Sequence, residues 1–428
     1  MRNIPLYFIL IGFTCIGYGQ KLPLDQYIFP KFHFLDSTLQ KDYPFIRFEK
    51  NQFQFYTPKS DLWEAFGKAF LDMTTTQKGQ LNFYHIGGSH LQADIYSHDI
   101  RTHLQTYWEN IPGARGMVFP FDLAKTNNPW NYEFSSPNTW KSYKSVGKQE
   151  EPIHFGVLGA VIKCYDSIIT MSFRHDKTKV TPPYTTLRIV HNQGEFPFDL
   201  QFGEYEILVE HYFEDTLLGY TEIQFVDPVE TMDLEFTKIT KDTFPLEIHG
   251  FQFLNKDPGC TYNSIGINGA GLYTYLANDR FEKELKILPP DFFVFSVGTN
   301  DANVPYDRFD PETYKCNLDK MIHKVWAANP NCAILLTVPN DAYYFRKYPN
   351  KNVEREREVI IELAQEYELA VWDLYGLMGG LGSSNIWYQQ GLMQSDRIHF
   401  TAKGYHLKGD IFFDAFLKFL EQMRTLAD

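Results

Sequence analysis

An α/β fold interrupted by an all-β segment is what this sequence predicts. Three observations carry that prediction. Short apolar runs, each ended by a polar or Gly-rich corner, read as buried parallel strands. Amphipathic helical patterns with good start signals lie between them. A middle stretch instead shows short alternating runs separated by turn residues, the spacing of a β-sandwich.

The chain opens with Met1-Arg2 and an apolar run through Ile4, Leu6, Phe8, Ile9, Leu10 and Ile11, closing in Gly17-Tyr18-Gly19. A positive start, an apolar run and a small-x-small end make the pattern of a secretory signal peptide. The run is too short and interrupted for a membrane anchor. Residues 1–19 are therefore expected to be removed on export, leaving a periplasmic or extracellular protein without stable membrane insertion. Lipid anchoring through Cys15 ranks lower, because Thr14 is a poor residue before a lipidated cysteine.

The α/β texture occupies residues near 60–115 and again from about 256 onward. Its expected strands are Leu81–Ile86, Phe292–Val297, Ala333–Val338, a weaker Ala370–Trp372 and one near Ser264–Ile267. Asp310-Pro311-Glu312 supplies an N-cap and a first-turn proline, and Tyr314, Leu318, Met321, Ile322 and Val325 follow at helical spacing. Val353–Tyr367 alternates Glu with Arg and predicts a solvated helical face. Thr401 can cap a last helix that buries Tyr405, Ile411, Phe412, Ala415, Phe416 and Phe419.

Between Met117 and Phe253 the expected strands are Ile168–Phe173, Thr185–Val190, Glu206–Val209, Glu222–Val226, Asp233–Phe236 and Leu246–Phe253. Asn192-Gln193-Gly194 and Lys177-Thr178-Lys179 mark turns between them. The division that follows is a first part at 20–116 with an N-terminal extension, an inserted β-sandwich at 117–255 and a second part at 256–428.

A net charge of −13 disfavours nucleic acid and acidic membranes as partners. A hydrophobic fraction of 44% is that of a globular protein and argues against disorder. After signal removal Cys164, Cys260, Cys316 and Cys332 remain, without a CxxC pair, so neither a zinc ribbon nor a thioredoxin-like site is indicated. His98 and His103 are five apart and lack a metal-site pattern. No cofactor is implied. Trp130, Trp140 and Tyr184 read first as packing residues and second as sugar-stacking surface.

Four blocks stand at strand ends or helix starts, where active sites of open α/β sheets collect. They are His85-Ile86-Gly87-Gly88-Ser89-His90, Gly266-Ile267-Asn268-Gly269-Ala270-Gly271, Gly298-Thr299-Asn300-Asp301 and Asp396-Arg397-Ile398-His399. A serine hydroxyl needs a base to take its proton, and His399 can be that base for Ser89. Asp396 can hold the imidazole in its productive tautomer. The Ser89 and Gly269 amides and the Asn300 side chain can donate to an oxyanion, with Gly266 the rival to Gly269. The helix expected after Ser89, with Leu91, Ile95 and Leu104 on its buried side, aims its amides the same way. Singly, each block suits a turn, a cap or a surface pair. Their order and placement together favour catalysis.

These blocks resemble those of the SGNH (GDSL-like) hydrolases, which run Ser, Gly, Asn and Asp-x-x-His. The resemblance implies a doubly wound, flavodoxin-like, mostly parallel sheet and a serine esterase. It implies Ser89 as nucleophile, His399 as base, Asp396 as orienting acid, and Ser89, Gly269 and Asn300 as oxyanion donors. Ser89–Asp94 and Gly113-Ala114-Arg115-Gly116, with the β-insert, resemble the peptidoglycan O-acetylesterases, and that resemblance implies an O-acylated glycan as substrate. The family usually has Asp before the serine; here Gly88 stands there. An O-acyltransferase would use the same residues, and a non-catalytic glycan-binding protein is the alternative outside enzymes. The GxSxG elbow of α/β-hydrolase lipases is missing.

Overall fold

In the computed structural model the described residues are 34–35, 37–58, 60–176, 181–241 and 243–427. The expected signal peptide, Cys15 and the turn at 177–179 lie outside them. The central sheet has the strand order Gln54–Phe55, Ala370–Asp373, Ala333–Val338, Phe292–Ser296, Gln80–Gly87, Gly259–Gly266. The first of these is a short antiparallel edge; the other five are parallel. Taken in chain order, the parallel strands lie 2-1-3-4-5, the flavodoxin-like order. The order reverses between the Gln80–Gly87 and Phe292–Ser296 strands. Ser89 and Asn300 follow these two strands, at the carboxyl edge where such sheets open a crevice.

Strand alternation assigns aromatic rings to opposite faces. On one face Phe66, from the helix Asp61–Thr76, stacks on Phe292 at 4.8 Å, and Phe416 of the last helix, Ala402–Ala427, packs 6.0 Å from Phe83. On the other, Tyr84 and Phe293 stack at 6.0 Å, under the layer that holds the helices Pro311–Ala328 and Asn352–Glu366. Burying each such ring contributes about 2 kcal/mol, so the aromatic layers anchor the sheet. Asp310 caps its helix by accepting from the Glu312 amide, and Thr401 Oγ1 accepts from the Gly404 amide.

The middle of the chain forms two antiparallel sheets. One pairs Tyr132–Ser135, Ile168–His175, Met232–Lys238 and Phe198–Gln201; the other runs through Val209–Asp215, Tyr220–Val229, Tyr184–His191, Leu246–Leu254, Ala160–Cys164 and Lys141–Lys144. They face each other through rings, Phe173 on Phe253 at 4.3 Å and Phe134 on Phe251 at 5.3 Å. The opposite face of Leu246–Leu254 is also covered: His249 Nδ1 lies 2.7 Å from Glu284 Oε1 of the helix Phe281–Leu285. The hydrophobic core is continuous between these sheets and the central one.

Three expectations need correction. Glu206–Val209 is not a strand: Gly203–Leu208 is a 3₁₀ turn, closed by the Phe202 amide donating to Glu206 Oε2 at 2.8 Å, and the strand begins at Val209. The helix after Ser89 is broken. A single turn, Ser89–Gln92, ends before Asp94, whose φ is +44°, and a second helix spans Tyr96–Thr106. Leu91 and Leu104 are buried as expected, whereas Ile95 is half-buried and faces the cleft. Finally, the charged helix Asn352–Glu366 is not solvated throughout. Glu356 is fully buried, and burial raises its carboxyl well above the usual range.

Trp140 and Tyr184 are buried, while Trp130 stays partly exposed and donates to the Asp94 carbonyl. Cys164, Cys260 and Cys332 are buried free thiols and Cys316 is exposed.

Candidate active site

The strand Gln80–Gly87 ends in a corner at Gly88, and Ser89 opens the short helix that follows. Ser89 Oγ lies 2.8 Å from His399 Nε2. His399 Nδ1 lies 2.8 Å from Asp396 Oδ2. The other Asp396 oxygen accepts from the Ile398 and His399 amides at 2.9 and 3.0 Å, which fixes the loop. Burial pushes the Asp396 carboxyl up, but the His399 ring and these two amides outweigh it and hold it below the ordinary range. An ionised Asp396 keeps the Nδ1 proton in place and frees Nε2 to accept from the serine.

Ser89 and His399 open onto a cleft of about 680 Å³, which Gly269 and Asn300 also line. Gly269 has φ +84°, a conformation that glycine adopts without strain, and its loop is held by the Asn268 amide donating to Gln92 Oε1 at 2.7 Å. Gly266 is buried against the backbone of Leu91 and Gln92 and does not line the cleft, so Gly269 is the better placed of the two. Asn300 Nδ2 donates to the Ala270 carbonyl at 2.9 Å, leaving its second N–H free to point into the cleft. Ser89, Gly269, Asn300 and His399 thus line one crevice, with Asp396 bonded to His399 behind it.

Gly88 stands where the related sequences usually have Asp. A Cβ there would lie 3.0 Å from Asn300 Nδ2 and 3.4 Å from the Ala270 carbonyl. The position is filled by the close approach of the Asn300 amide, and a larger residue must displace it.

The two histidines beside the serine are packing residues. His85 is buried between Tyr262 and Ser296, with ring nitrogens 2.7 and 2.6 Å from their hydroxyls. His90 is buried, its Nδ1 2.9 Å from the Tyr405 hydroxyl and its ring 5.2 Å from that of His399. Burial, helped by Lys408 and His399, lowers the pKa of His90 far enough to keep it neutral. His98 and His103 are separate too: His98 Nδ1 meets Arg101 at 2.8 Å, and His103 Nε2 meets Asp410 at 2.9 Å. No group of residues able to hold a metal occurs among the described residues.

Sequence reasoning did not find Gln92 as a bridge. Its Nε2 donates to the Asn127 carbonyl at 2.9 Å while its Oε1 holds the Asn268 amide, so one side chain ties the serine turn to the Gly269 loop. Gln92 was visible within the Ser89–Asp94 stretch, but neither partner is near it in sequence.

Residues 252–407 match the model of the GDSL-like lipase/acylhydrolase family. A solved peptidoglycan O-acetylesterase superposes with a TM-score of 0.68 at 18% identity, covering 86% of this chain and 99% of its own. That likeness is one of fold, and it includes the added antiparallel sheets. A lipase/acylhydrolase from Enterococcus faecalis is 26% identical over 37% of this chain and 77% of its own, with a TM-score of 0.30. An acetyl xylan esterase is 20% identical over 36% of this chain and 81% of its own, also with a TM-score of 0.30. Comparison with curated proteins found no match. Residues 252–407 are thus similar to the GDSL-like lipases/acylhydrolases, and the fold is the doubly wound one of an SGNH hydrolase with added antiparallel sheets.

Proposed function

We propose that the protein is an exported esterase that removes O-acyl groups, in the first instance O-acetyl, from a polysaccharide such as peptidoglycan. The observation that carries this reading is the hydrogen-bonded series from Ser89 Oγ to His399 Nε2 and from His399 Nδ1 to Asp396, at the mouth of an open cleft. The export pattern at residues 1–19, the β-insert at 117–255 and the fold shared with a peptidoglycan O-acetylesterase support the choice of substrate.

Ser89 Oγ attacks the ester carbonyl as His399 Nε2 takes its proton. Negative charge on the carbonyl oxygen is met by the Ser89 and Gly269 amides and by Asn300 Nδ2. Collapse expels the sugar hydroxyl, which receives the proton from His399, and leaves an acyl-Ser89. Water, deprotonated by His399, attacks this second ester and releases the carboxylic acid. Hydrolysis of p-nitrophenyl acetate and acetate release from O-acetylated peptidoglycan test the reading. Ser89→Ala and His399→Ala should each lose at least about a thousandfold in kcat with folding intact. Retained activity in either variant would sink it.

A further inference from the structure

The cleft that Ser89 lines is also bordered by a small hairpin in which Tyr343–Tyr344 pairs with Tyr348–Pro349. Its turn places Phe345 at φ +50° and Arg346 at φ +57°, with the Lys347 amide donating to the Tyr344 carbonyl at 3.0 Å. Two successive left-handed residues are ordinarily supplied by Asn-Gly, and a Phe-Arg pair is a poor choice for that backbone on stability grounds. The hairpin base is nonetheless held firmly. The Tyr343 amide donates to the Arg397 carbonyl at 3.2 Å, within the Asp396–His399 loop. Asn350 Nδ2 donates to the Ala302 carbonyl at 2.9 Å, two residues past Asn300. The strained tip is therefore carried on the same two loops that carry His399 and Asn300. Strain persists where surrounding structure over-determines it, and such positions cluster at ligand clamps.

The chemistry of the tip is as telling as its backbone. Arg346 is the one permanently charged side chain among the described residues lining the cleft, and no carboxylate lines it. Acids next to lining residues are engaged elsewhere: Asp396 accepts from the Ile398 and His399 amides, Asp301 from the Leu272 amide and Asp341 from the Ser384 amide. Among the described residues the Arg346 guanidinium has neither an ion-pair nor a hydrogen-bond partner, although the chain as a whole carries thirteen more acidic than basic residues. Beside it the Phe345 ring is 70% exposed, a flat apolar surface at the cleft edge. A planar guanidinium grips a carboxylate through two parallel hydrogen bonds, and an exposed ring takes the apolar face of a sugar.

We propose that Arg346 is a specificity residue that binds a carboxylate carried by the glycan near its acylated sugar, so that the preferred substrate is an anionic, not a neutral, acylated polysaccharide. This rests on the esterase reading of the Ser89 site, which it deepens.

Binding to the Ser89→Ala protein tests this separately from hydrolysis. The probe is O-acetylated peptidoglycan fragments with free carboxylates, alongside the same fragments after carbodiimide amidation. The Ser89→Ala protein should bind the free-carboxylate fragments at least tenfold more tightly than the amidated ones. Adding Arg346→Gln should abolish most of that difference, and Arg346→Lys should restore part of it. The two changes should not add: amidated fragments should bind both proteins alike. The proposal is overturned if amidation weakens binding equally with and without Arg346, if amidation has no effect, or if the free-carboxylate fragments do not bind. The esterase reading fails by a different result, hydrolysis of p-nitrophenyl acetate that survives Ser89→Ala.

Discussion

Arg115 Nη2 lies 3.1 Å from Asp94 Oδ2, both side chains buried, and this contact joins the two stretches Ser89–Asp94 and Gly113–Gly116. Arg101 meets the same carboxylate at 3.2 Å, and Asn131 and Ser97 donate to it at 2.8 and 2.6 Å. Burial pushes the Asp94 carboxyl up, but Arg101, Arg115, His98 and Asn131 outweigh it and hold it far below its ordinary range. Asp94 terminates the serine turn in a left-handed conformation, so this cluster fixes where the turn that bears Ser89 ends.

Removing Arg115 from this cluster leaves a buried carboxylate with half of its compensating charge. Arg115→Ala should cost about 3–5 kcal/mol of stability in urea unfolding. A cost below about 1 kcal/mol would mean that Arg101 alone neutralises Asp94. Because the folded carboxyl lies below its unfolded value, its contribution is complete above about pH 4 and is lost as pH falls toward the folded value. Asp94→Asn should therefore flatten the acid limb of the stability profile.

Gln92 ties the serine turn to the Gly269 loop through Asn127 and Asn268. Its loss frees the Asn268 amide and lets the Gly269 loop shift, and a displacement of about 1 Å costs on the order of a hundredfold. Gln92→Ala should lower kcat by about 10–100-fold and change KM little. Gln92→Glu keeps the oxygen that accepts from Asn268 and should recover part of the rate. Equal losses in the two variants would show that the Asn127 contact, not the Asn268 contact, matters.

At Gly88 an added Cβ would lie 3.0 Å from the Asn300 amide. Gly88→Ala should lower kcat by about tenfold through displacement of the Asn300 amide, while Asn300→Ala should cost about 100–1,000-fold. The double variant should be no worse than Asn300→Ala alone. Additive losses would separate the two positions.

Lys408 is buried beside the site, its ammonium 4.0 Å from the centre of the Tyr96 ring. Burial lowers its pKa to about 7. Between that value and the unfolded value near 10.4 the unfolded chain binds a proton that the folded chain does not, so this group makes stability rise with pH across that window. Lys408→Met should raise Tm at pH 7 and remove that slope. An unchanged slope would show that the ammonium stays charged in the fold.

The strands of the central sheet were legible because buried parallel strands are apolar almost throughout; Ala333–Val338 is observed with its expected bounds. The last helix was legible from the spacing of its buried face, of which Tyr405, Ile411, Phe412, Ala415, Phe416 and Phe419 are all buried. Glu206–Val209 misled because a strand and a 3₁₀ turn can share the same alternation over four residues. What separated them was one carboxylate reaching back to the Phe202 amide. Glu356 misled because helical charge alternation does not say which glutamate turns inward.

From residues alone came the fold class and the four blocks with Ser89, Gly269, Asn300, Asp396 and His399, since apolar period, caps and Gly-rich corners are local properties of the chain. Only the tertiary structure decided that Ser89 meets His399 across 310 positions, that Gln92 holds the Gly269 loop, that Gly88 makes room for Asn300 and that Arg346 enters the cleft. The reason is physical. A buried apolar side chain needs only a core, which its own periodicity announces. A polar side chain needs a particular partner at hydrogen-bond distance, and here those partners are brought in from other elements of the chain.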